Sequence, residues 1–373
     1  MRRNSLAAAV IGCLLAMESS WAGEATMARK AGEQPGPGKV CPRCGKRGQS
    51  EWRVCPIDGE ELVDPRELPR ALFAVELPLT RVPHHNGGVV TWAGRVYVWS
   101  GYSTEGTHHR DRTTALEIYD PLTGRWAKGA DIPAPVSGPG EFALKSGIYS
   151  VGGETNPSGR FLGSVFRYDP RADRWEKRQS FPQTAWDPMS VVCAHTAYVF
   201  GGRRGYGRTW SEVYAYDERK DRWVARAPMP ISVMQGAAAS YGGRIYVIGG
   251  YHKKSEAHTE HVAKVQVYDP AADRWQVTDT ALVVSSAQAV AVPGALYVFA
   301  SRHWDPRAAK WVDEPTAHRY HATTGQWEPL SFRPPAKAYY SSAIPIVDGR
   351  GYLLDLYREG KRSNEAYTLR LLE

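Results

Sequence analysis

The sequence lacks several features that would place it in common functional classes. Its formal net charge is +8, yet no block of five or more basic residues occurs, so a solvated basic surface is favoured over nucleic-acid binding. Beyond residue 17 no apolar run approaches the roughly twenty residues that a membrane-spanning helix needs. The glycine pairs lack the strand-to-helix context of a phosphate-binding loop, and no hydrolase triad is visible. We therefore predict no nucleic-acid partner and no transmembrane segment.

Phenylalanine is also scarce, with 8 copies against 13 Trp and 20 Tyr. Amphipathic aromatic residues in this excess are typical of many short strands and do not favour a Leu-rich helical core. With 373 residues, the chain is long enough for one large domain and a further small module.

The N-terminus has the composition of a targeting segment. Two arginines precede an apolar run at 6–17, and small residues follow at the positions that a signal peptidase reads. We predict a signal peptide at 1–22, a polar linker at 23–38, and a periplasmic or secreted protein. The alternative is a lipoprotein anchored at Cys13, because the residues around it loosely fit a bacterial lipobox.

Two short cysteine-containing turns follow at 39–63. Cys41 and Cys44 form a Cys-x-x-Cys turn, and Cys55 begins a second turn of the same shape in which Asp58 replaces the second cysteine. Thiolates at this spacing can converge on one ion, and a carboxylate can supply the fourth ligand. The segment resembles a zinc ribbon, which implies a structural zinc held by these four side chains. The alternative is that the thiols are oxidised to disulfides outside the cytoplasm.

A repeat of about fifty residues occupies the rest of the chain. A tyrosine is followed seven residues later by a tryptophan five times, at Tyr119/Trp126, Tyr168/Trp175, Tyr216/Trp223, Tyr268/Trp275 and Tyr320/Trp327. Upstream of each tyrosine lies an apolar run, which in three copies ends in a glycine pair. Several short β-type runs per copy at this period are typical of a radial repeat and not of a helical solenoid.

Each copy is predicted to contain four strands, which in the second copy span 140–145, 147–153, 164–168 and 174–177. The glycines are expected where a Cβ has no room or where φ is positive. The tryptophan lies on the outer strand, where its ring is expected to cover the seam with the neighbouring sheet.

The double glycine, the tyrosine and the tryptophan, in this order, resemble the kelch repeat. The resemblance covers about 81–373 and implies an all-β fold, a six-bladed kelch-type β-propeller at 67–373. The sixth copy has no tryptophan strand, so we expect 71–77 to provide its outer strand and close the ring. Such closure removes the free edges of the sheets.

The resemblance also implies where a ligand binds. Kelch proteins commonly bind partners with the loops that follow the glycine pair and the loops that lead into each inner strand. The first set of positions contains Tyr102, Glu154, Arg203, Tyr251 and Arg302, and the second contains His85, Asn86, Glu141, Asp187, Gln235 and Tyr340. Together these side chains would form a rim that binds a protein or a sugar. Histidines in the long loops match no metal-binding template and are interpreted as surface residues.

Two functional hypotheses remain open. The preferred one is an exported, non-enzymatic recognition or scaffold protein, expected to be monomeric, whose rim binds a protein or glycan. The alternative is a carbohydrate-active enzyme, because a secreted six-bladed kelch propeller also resembles the bacterial sialic-acid mutarotases. Their acid–base chemistry in the central pocket could here use Glu141, Asp187, Arg203 and Arg302. A galactose-oxidase-like centre is not expected, because it needs a cross-linked cysteine and Cys193 lies in an apolar run.

Overall fold

The computed structural model describes residues 74–76, 80–82, 84–103, 111–155, 160–205, 208–255, 258–292, 294–305, 307–321 and 324–330, with strands at 337–338, 346–347, 350–353, 356–358, 361–362 and 367–370. Within these residues, no helix has the length and apolar character needed to cross a lipid bilayer. The signal peptide, linker and cysteine module predicted at 1–63 lie outside the described residues, as does Tyr340.

Five antiparallel sheets repeat one arrangement of four strands, joined in sequence order from the first strand to the fourth. The first sheet contains Gly88–Trp92, Arg95–Trp99, Leu116–Asp120 and Arg125–Gly129. The second contains Gly140–Leu144, Gly147–Val151, Val165–Asp169 and Arg174–Arg178. The third contains Met189–Cys193, Thr196–Phe200, Val213–Asp217 and Arg222–Arg226. The fourth contains Ala237–Tyr241, Arg244–Ile248, Lys264–Asp269 and Arg274–Asp279. The fifth contains Val284–Val292, Ala295–Asp305, Thr316–His321 and Gln326–Pro329.

A sixth sheet joins the two ends of the repeat region. It contains Ile346–Val347, Arg350–Leu353 and Tyr367–Arg370, and its outer strand is Ala74–Glu76. The outer strand is antiparallel to its neighbour, with Ala74 opposite Leu369 and Glu76 opposite Tyr367. The described part of the strand predicted at 71–77, Ala74–Glu76, therefore lies beside the strand that it was expected to pair with.

The first strands of these sheets face a common axis. Successive first strands contact one another. Their middle residues, together with Ile346 of the sixth sheet, line a cavity of about 340 Å³. Because the strands alternate in direction, the loops that lead into first strands and the connections between second and third strands share one side, which we call the loop face. The tight turns of the same sheets lie on the opposite side, the turn face.

In the second, third and fourth sheets the repeated tyrosine and tryptophan attach the sheet to the one before it. Tyr268 and Trp275 lie directly opposite each other on the third and fourth strands of the fourth sheet. The Trp275 indole donates to the carbonyl oxygen of Ala227, just after the third sheet (2.8 Å). The Tyr268 hydroxyl donates to Asp273 (2.5 Å), which also accepts the Ala227 amide hydrogen (2.9 Å). The same three bonds recur at Tyr168/Asp173/Trp175 and Tyr216/Asp221/Trp223. The interval of seven residues is therefore explained by one contact with the neighbouring sheet.

The glycine pair occupies a place where backbone segments approach closely. In the third sheet Gly201 and Gly202 have φ values of 66° and 82°. A Cβ on Gly202 would lie 2.6 Å from the Asp187 carbonyl oxygen. The Gly202 amide donates to the Val233 carbonyl oxygen in the segment that leads into the fourth sheet (2.9 Å), and Gly101, Gly153 and Gly250 make the equivalent bond. These glycines belong to the frame of the fold, as the sequence predicts.

Candidate functional site

The predicted site residues that follow the glycine-pair positions lie on the loop face. In each of the first five sheets, the residue after the glycine-pair position is paired through its backbone with a residue of the segment that leads into the first strand. These pairs are His85/Tyr102, Ser137/Glu154, Trp186/Arg203, Met234/Tyr251 and Ser285/Arg302. Tyr102, Glu154, Arg203, Tyr251 and Arg302 therefore occupy equivalent places around one face.

Beyond these pairs the chain forms raised hairpins where the sequence predicted long loops. Glu154–Thr155 pairs with Arg160–Phe161 and with Val136–Ser137, Arg203–Arg204 pairs with Arg208–Thr209, and Tyr251–Lys253 pairs with Thr259–His261. In the fifth sheet the second strand extends to Asp305 and pairs with Lys310–Val312. Lys337–Ala338, Leu356–Arg358 and Lys361–Arg362 form a further small sheet. Strand pairing fixes the direction of the side chains, so the loop face has a defined surface.

A ring of left-handed residues lies where the chain enters the first strands. Asn86, Gly138, Asp187, Gln235 and Ser286 occupy equivalent positions, and φ lies between 48° and 58° at all five. The Gly138 amide donates to the Asn86 carbonyl oxygen (2.7 Å), and the Asp187 amide donates to the Gly138 carbonyl oxygen (2.9 Å). Each non-glycine residue in this region costs on the order of 1–3 kcal/mol, and such strain clusters at functional sites.

Burial changes the interpretation of several predicted site residues. His85, Asn86 and Asp187 are buried, so they lie beneath the loop face and do not form exposed loops. The Gln235 side chain is partly buried and accepts a hydrogen bond from the Ser286 hydroxyl (3.1 Å). These residues therefore pack beneath the site and contribute little to its exposed surface.

Glu141 was predicted among the rim residues, but the structure places it within an inner strand and not in a loop. It is the second residue of Gly140–Leu144 and lines the central cavity. Of the described residues that line this cavity, it is the one with an ionisable side chain, and the others are apolar or carry hydroxyls, such as Ser190 and Ser240. Among the described lining residues there is therefore no second carboxylate or arginine that could form an acid–base pair.

Tyr102 and Glu154 are joined by Arg112, which the sequence pattern does not reveal. Arg112 forms an ion pair with Glu154 (3.0 Å) and donates to the hydroxyls of Tyr102 (3.3 Å) and Ser137 (3.0 Å). Its side chain is 3% exposed, and its guanidinium lies 4.7 Å from the centroid of the Tyr102 ring. This charge is therefore fixed between the first and second sheets.

Arg203 is held over two aromatic rings. The rings of Phe161 and Trp186 are stacked, with centroids 5.8 Å apart and planes at 12°. The Arg203 guanidinium lies 4.3 Å from the Trp186 centroid and 5.6 Å from the Phe161 centroid. Cation–π contacts of this kind contribute about 0.5–2 kcal/mol each, so the guanidinium is positioned before any ligand arrives.

Tyr251 lies within electrostatic reach of charges from two neighbouring sheets. Burial and, to a smaller extent, the Asp187 carboxylate raise the pKa of Tyr251 to about 12 against the opposing effect of the Arg203 and Arg302 guanidinium groups. The phenol therefore keeps its proton at neutral pH and acts as a hydrogen-bond donor, not as a base. We call Asp187, Arg203, Tyr251 and Arg302 the Arg–Tyr cluster.

A row of aromatic rings leads outward from this cluster across the fourth and fifth sheets. The ring centroids of Tyr251 and His261 are 6.1 Å apart, those of His261 and Trp311 are 3.8 Å apart, and those of Trp311 and Trp304 are 5.9 Å apart. Arg302 lies 5.7 Å from the Trp311 centroid and forms an ion pair with Asp313 (2.7 Å). We call Tyr251, His261, Trp311 and Trp304 the aromatic row. The one hint of it in the sequence is that its two tryptophans lie outside the repeated Trp position.

The histidines and Cys193 form no metal centre in the described part of the chain, where no three His, Cys, Asp or Glu side chains are grouped to hold an ion. His258 lies 3.3 Å from Glu260, which is also paired with Lys254. Cys193 is buried in an apolar cluster between the third and fourth sheets, as expected of a small core residue. The predicted ligands Cys41, Cys44, Cys55 and Asp58 lie outside the described residues.

Comparison with protein families identifies this architecture. The family model described as the KLHDC2/KLHL20/DRC7 Kelch-repeats domain matches residues 141–354, which is more than half of the chain. The chain therefore belongs to the kelch-repeat family, and its sheets are those of a kelch β-propeller.

Individual relatives match shorter parts of the chain. Alpha-scruin of Limulus polyphemus is 28% identical over 124 residues, which cover 32% of this chain and 13% of that protein. Kelch-like protein 25 of Xenopus tropicalis is 26% identical over 117 residues, 31% of this chain and 19% of that protein. Kelch-like protein 35 of Mus musculus is 29% identical over 124 residues, 33% of this chain and 20% of that protein. The chain thus spans no more than a fifth of the length of these relatives.

A solved structure resembles most of the chain in fold. The structure of YjhT has a TM-score of 0.63 and 16% sequence identity, and the match covers 78% of this chain and 95% of that one. At this identity the likeness concerns the fold alone.

Proposed function

We propose that the protein is an exported recognition or scaffold propeller that binds a protein or glycan ligand on its loop face and catalyses no reaction. In this proposal the propeller has six blades, with the sheet completed by Ala74–Glu76 as the sixth, and the chain acts as a monomer.

The Arg–Tyr cluster carries the proposal. Arg203 is stacked on Trp186, and its Nε is buried without a hydrogen-bond partner among the described residues. The Tyr251 phenol keeps its proton at neutral pH, and its raised pKa of about 12 extends this into alkaline solution. A positioned guanidinium beside a phenol of this kind is suited to holding a ligand and poorly suited to moving a proton.

A carbohydrate-active enzyme of the sialic-acid mutarotase or epimerase type is the second candidate. It is favoured by Glu141, a carboxylate inside the central cavity, and by Asp187, whose charge acts on the Tyr251 phenol. Two observations count against it. Glu141 is the one ionisable side chain among the described residues that line the cavity, and a phenol with a pKa of about 12 is a weak general acid–base catalyst at neutral pH.

Binding and catalysis can be separated on the purified exported protein. A glycan array followed by titration calorimetry measures binding, and proton NMR of N-acetylneuraminate anomers measures mutarotation. The proposal predicts a ligand whose affinity falls about tenfold or more in Arg203→Ala. The matched control, Arg125→Ala, removes an exposed arginine near the turn face and should bind normally. Mutarotation that the wild type accelerates and that Glu141→Gln abolishes would establish the enzyme instead.

We also propose that 39–63 is a zinc-binding module with Cys41, Cys44, Cys55 and Asp58 as ligands. Elemental analysis should find one zinc per chain in the wild type and a clear loss in Cys41→Ser. Metal-free protein with disulfide-bonded cysteines would support the oxidised alternative.

A further inference from the structure

The aromatic row is built by two raised hairpins that belong to different sheets. Tyr251 lies directly opposite His261 in the hairpin of the fourth sheet, and Trp304 lies directly opposite Trp311 in the hairpin of the fifth. The contact between His261 and Trp311 joins the two hairpins. The row therefore runs without a gap from the Arg–Tyr cluster to the outer edge of the loop face.

We infer that the aromatic row is a binding track for a linear oligosaccharide, whose sugar rings stack on these side chains. This inference rests on the proposed binding function of the loop face. Pyranose rings have apolar C–H faces that pack against aromatic rings, and amphipathic aromatic side chains are suited to surfaces that are partly apolar and partly wet. The His261 and Trp311 rings are in contact with each other (3.8 Å) and form one platform. The steps from this platform to Tyr251 (6.1 Å) and to Trp304 (5.9 Å) are comparable with the length of one sugar ring.

The sides of the track carry both hydrogen-bond donors and acceptors. Arg302 is paired with Asp313 (2.7 Å), and by alternation along the strand Arg302 lies on the same face of its hairpin as Trp304. Sugar hydroxyls both donate and accept hydrogen bonds, so a border of mixed charges matches them. Single-stranded nucleic acid would instead require a consistently positive groove along the rings.

The exposed surface is also unlike the centre of a protein–protein interface. Trp304 is 36% exposed, while the other three rings of the row are partly buried. Of the large apolar side chains that the structure describes, the other two that are similarly exposed, Leu122 and Val277, lie in other parts of the fold. A narrow row with polar borders, and not a broad apolar patch, favours a thin chain-like ligand over a folded partner.

The Trp304–Trp311 pair has a structural interpretation that must be separated from binding. Directly opposed tryptophans stabilise a hairpin by about 0.2–1 kcal/mol, and that alone would account for their presence. If the pair only stabilises the hairpin, removing Trp304 should lower the stability of the protein. If the pair binds a ligand, removing Trp304 should lower the affinity for that ligand and leave the stability nearly unchanged.

The test uses hexasaccharides of defined chemistry with the purified exported protein. Cellohexaose, maltohexaose and chitohexaose are the neutral probes, and hexagalacturonic acid is the acidic one, so the panel shows whether the Arg–Tyr cluster adds a preference for charge. Affinity is measured by calorimetry and by quenching of tryptophan fluorescence for each hexasaccharide and for its monosaccharide. The variants are Trp304→Ala, Trp304→Phe and, as the matched control, Leu122→Ala, which removes a 70% exposed apolar side chain from the turn face.

We expect at least one hexasaccharide to bind more tightly than its monosaccharide. Trp304→Ala should weaken that binding about tenfold, Trp304→Phe should restore most of it, and Leu122→Ala should leave it unchanged. A panel in which no hexasaccharide binds the wild type, or binding that Trp304→Ala leaves unaltered, overturns the inference. Tighter binding of a polythymidine oligonucleotide than of any sugar does so as well. One result would separate the two proposals: a sugar that the Trp304→Ala protein still binds normally and that the Arg203→Ala protein no longer binds. In that case the aromatic row is not a binding track, while the proposed function of the loop face stands.

Discussion

Replacing Glu117 with alanine should release the segment that leads from the closing strand into the first sheet. The Glu117 carboxylate lies 3.0 Å from His84 Nε2 and accepts the amide hydrogens of Arg81 (2.9 Å) and Val82 (3.2 Å). His84 Nδ1 in turn lies 2.8 Å from the Ser100 carbonyl oxygen. One carboxylate therefore holds three groups of this connecting segment.

The size of the effect follows from burial. The side chains of His84 and Glu117 are 3% and 2% exposed. Removing the carboxylate leaves the His84 ring and two backbone amides without their acceptor, and each such loss costs about 1–3 kcal/mol, so we expect a total of about 3–5 kcal/mol. In domains of about 150–250 residues, 1 kcal/mol lowers Tm by about 2–4 °C, and larger domains shift less. We therefore expect Tm to fall by about 5–10 °C in Glu117→Ala.

The stability lost in Glu117→Ala should be largest at neutral pH and smaller in acid. Burial alone would raise the pKa of Glu117, but hydrogen bonds from His84 and from the Arg81 and Val82 amides outweigh it and hold the pKa below its ordinary value. The stability that this group contributes is complete above the pKa of an unfolded-state glutamate, near 4.5. It is lost as the pH falls through the lower folded-state pKa. The difference in stability between wild type and variant should therefore shrink in acid.

An internal comparison supplies the control. Gln266 occupies the equivalent position in the fourth sheet, where it accepts the Ile231 amide hydrogen (2.9 Å) and donates to the Ile231 carbonyl oxygen (3.0 Å). Glu117→Gln would turn an amide N–H toward other donors, so it should also destabilise the protein, and Gln266→Glu is the reverse change. Thermal and urea unfolding from about pH 3 to pH 8 measures all three variants. An unchanged Tm for Glu117→Ala at neutral pH, or a deficit that persists undiminished at pH 3, would refute the reasoning.

Three further predictions concern the frame and the cluster. Gly202→Ala should destabilise the protein by about 1–3 kcal/mol more than Gly242→Ala in urea unfolding, because both residues have positive φ but only at Gly202 would the Cβ meet backbone. Asp273→Ala should cost about 1–3 kcal/mol by calorimetry, since the Tyr268 hydroxyl and a backbone amide lose their acceptor, and a smaller loss in Asp273→Asn would support this cause. The Tyr251 phenol should remain protonated at about pH 11 in NMR of labelled tyrosine. A phenolate at lower pH would contradict the burial described here.

The strands could be predicted closely because local residues determine them. In the second sheet the strands predicted at 140–145, 147–153, 164–168 and 174–177 correspond to Gly140–Leu144, Gly147–Val151, Val165–Asp169 and Arg174–Arg178. Glycine, aspartate and proline turns bound each run, so the limits differ by at most two residues. The constant spacing of tyrosine and tryptophan could also be recognised, and in three copies it corresponds to the same contact between sheets.

The chemistry of the loop face was harder to predict because it depends on contacts between distant segments. Arg112 lies in a connection that differs from copy to copy, and its partner Glu154 belongs to the next sheet. The contact of His261 with Trp311 joins two hairpins about fifty residues apart. Glu141 was assigned to the rim because the pattern shows that a strand begins nearby, not which residues of that strand face the axis. No repeated residue type marks these places.

The pairing of Ala74–Glu76 with Tyr367–Arg370 also sets an order of events during synthesis. Ala74 lies opposite Leu369, roughly three hundred residues further along the chain. The first strand of the propeller must therefore wait, with its hydrogen-bonding edge open, until nearly the whole chain has been made. Such a long-range pairing is slow to form. A circular permutant that places 74–76 directly after 367–370 should refold faster than the natural order, and equal rates would show that closure does not limit folding. Of the described strands, the one made earliest is thus the one whose partner is made last.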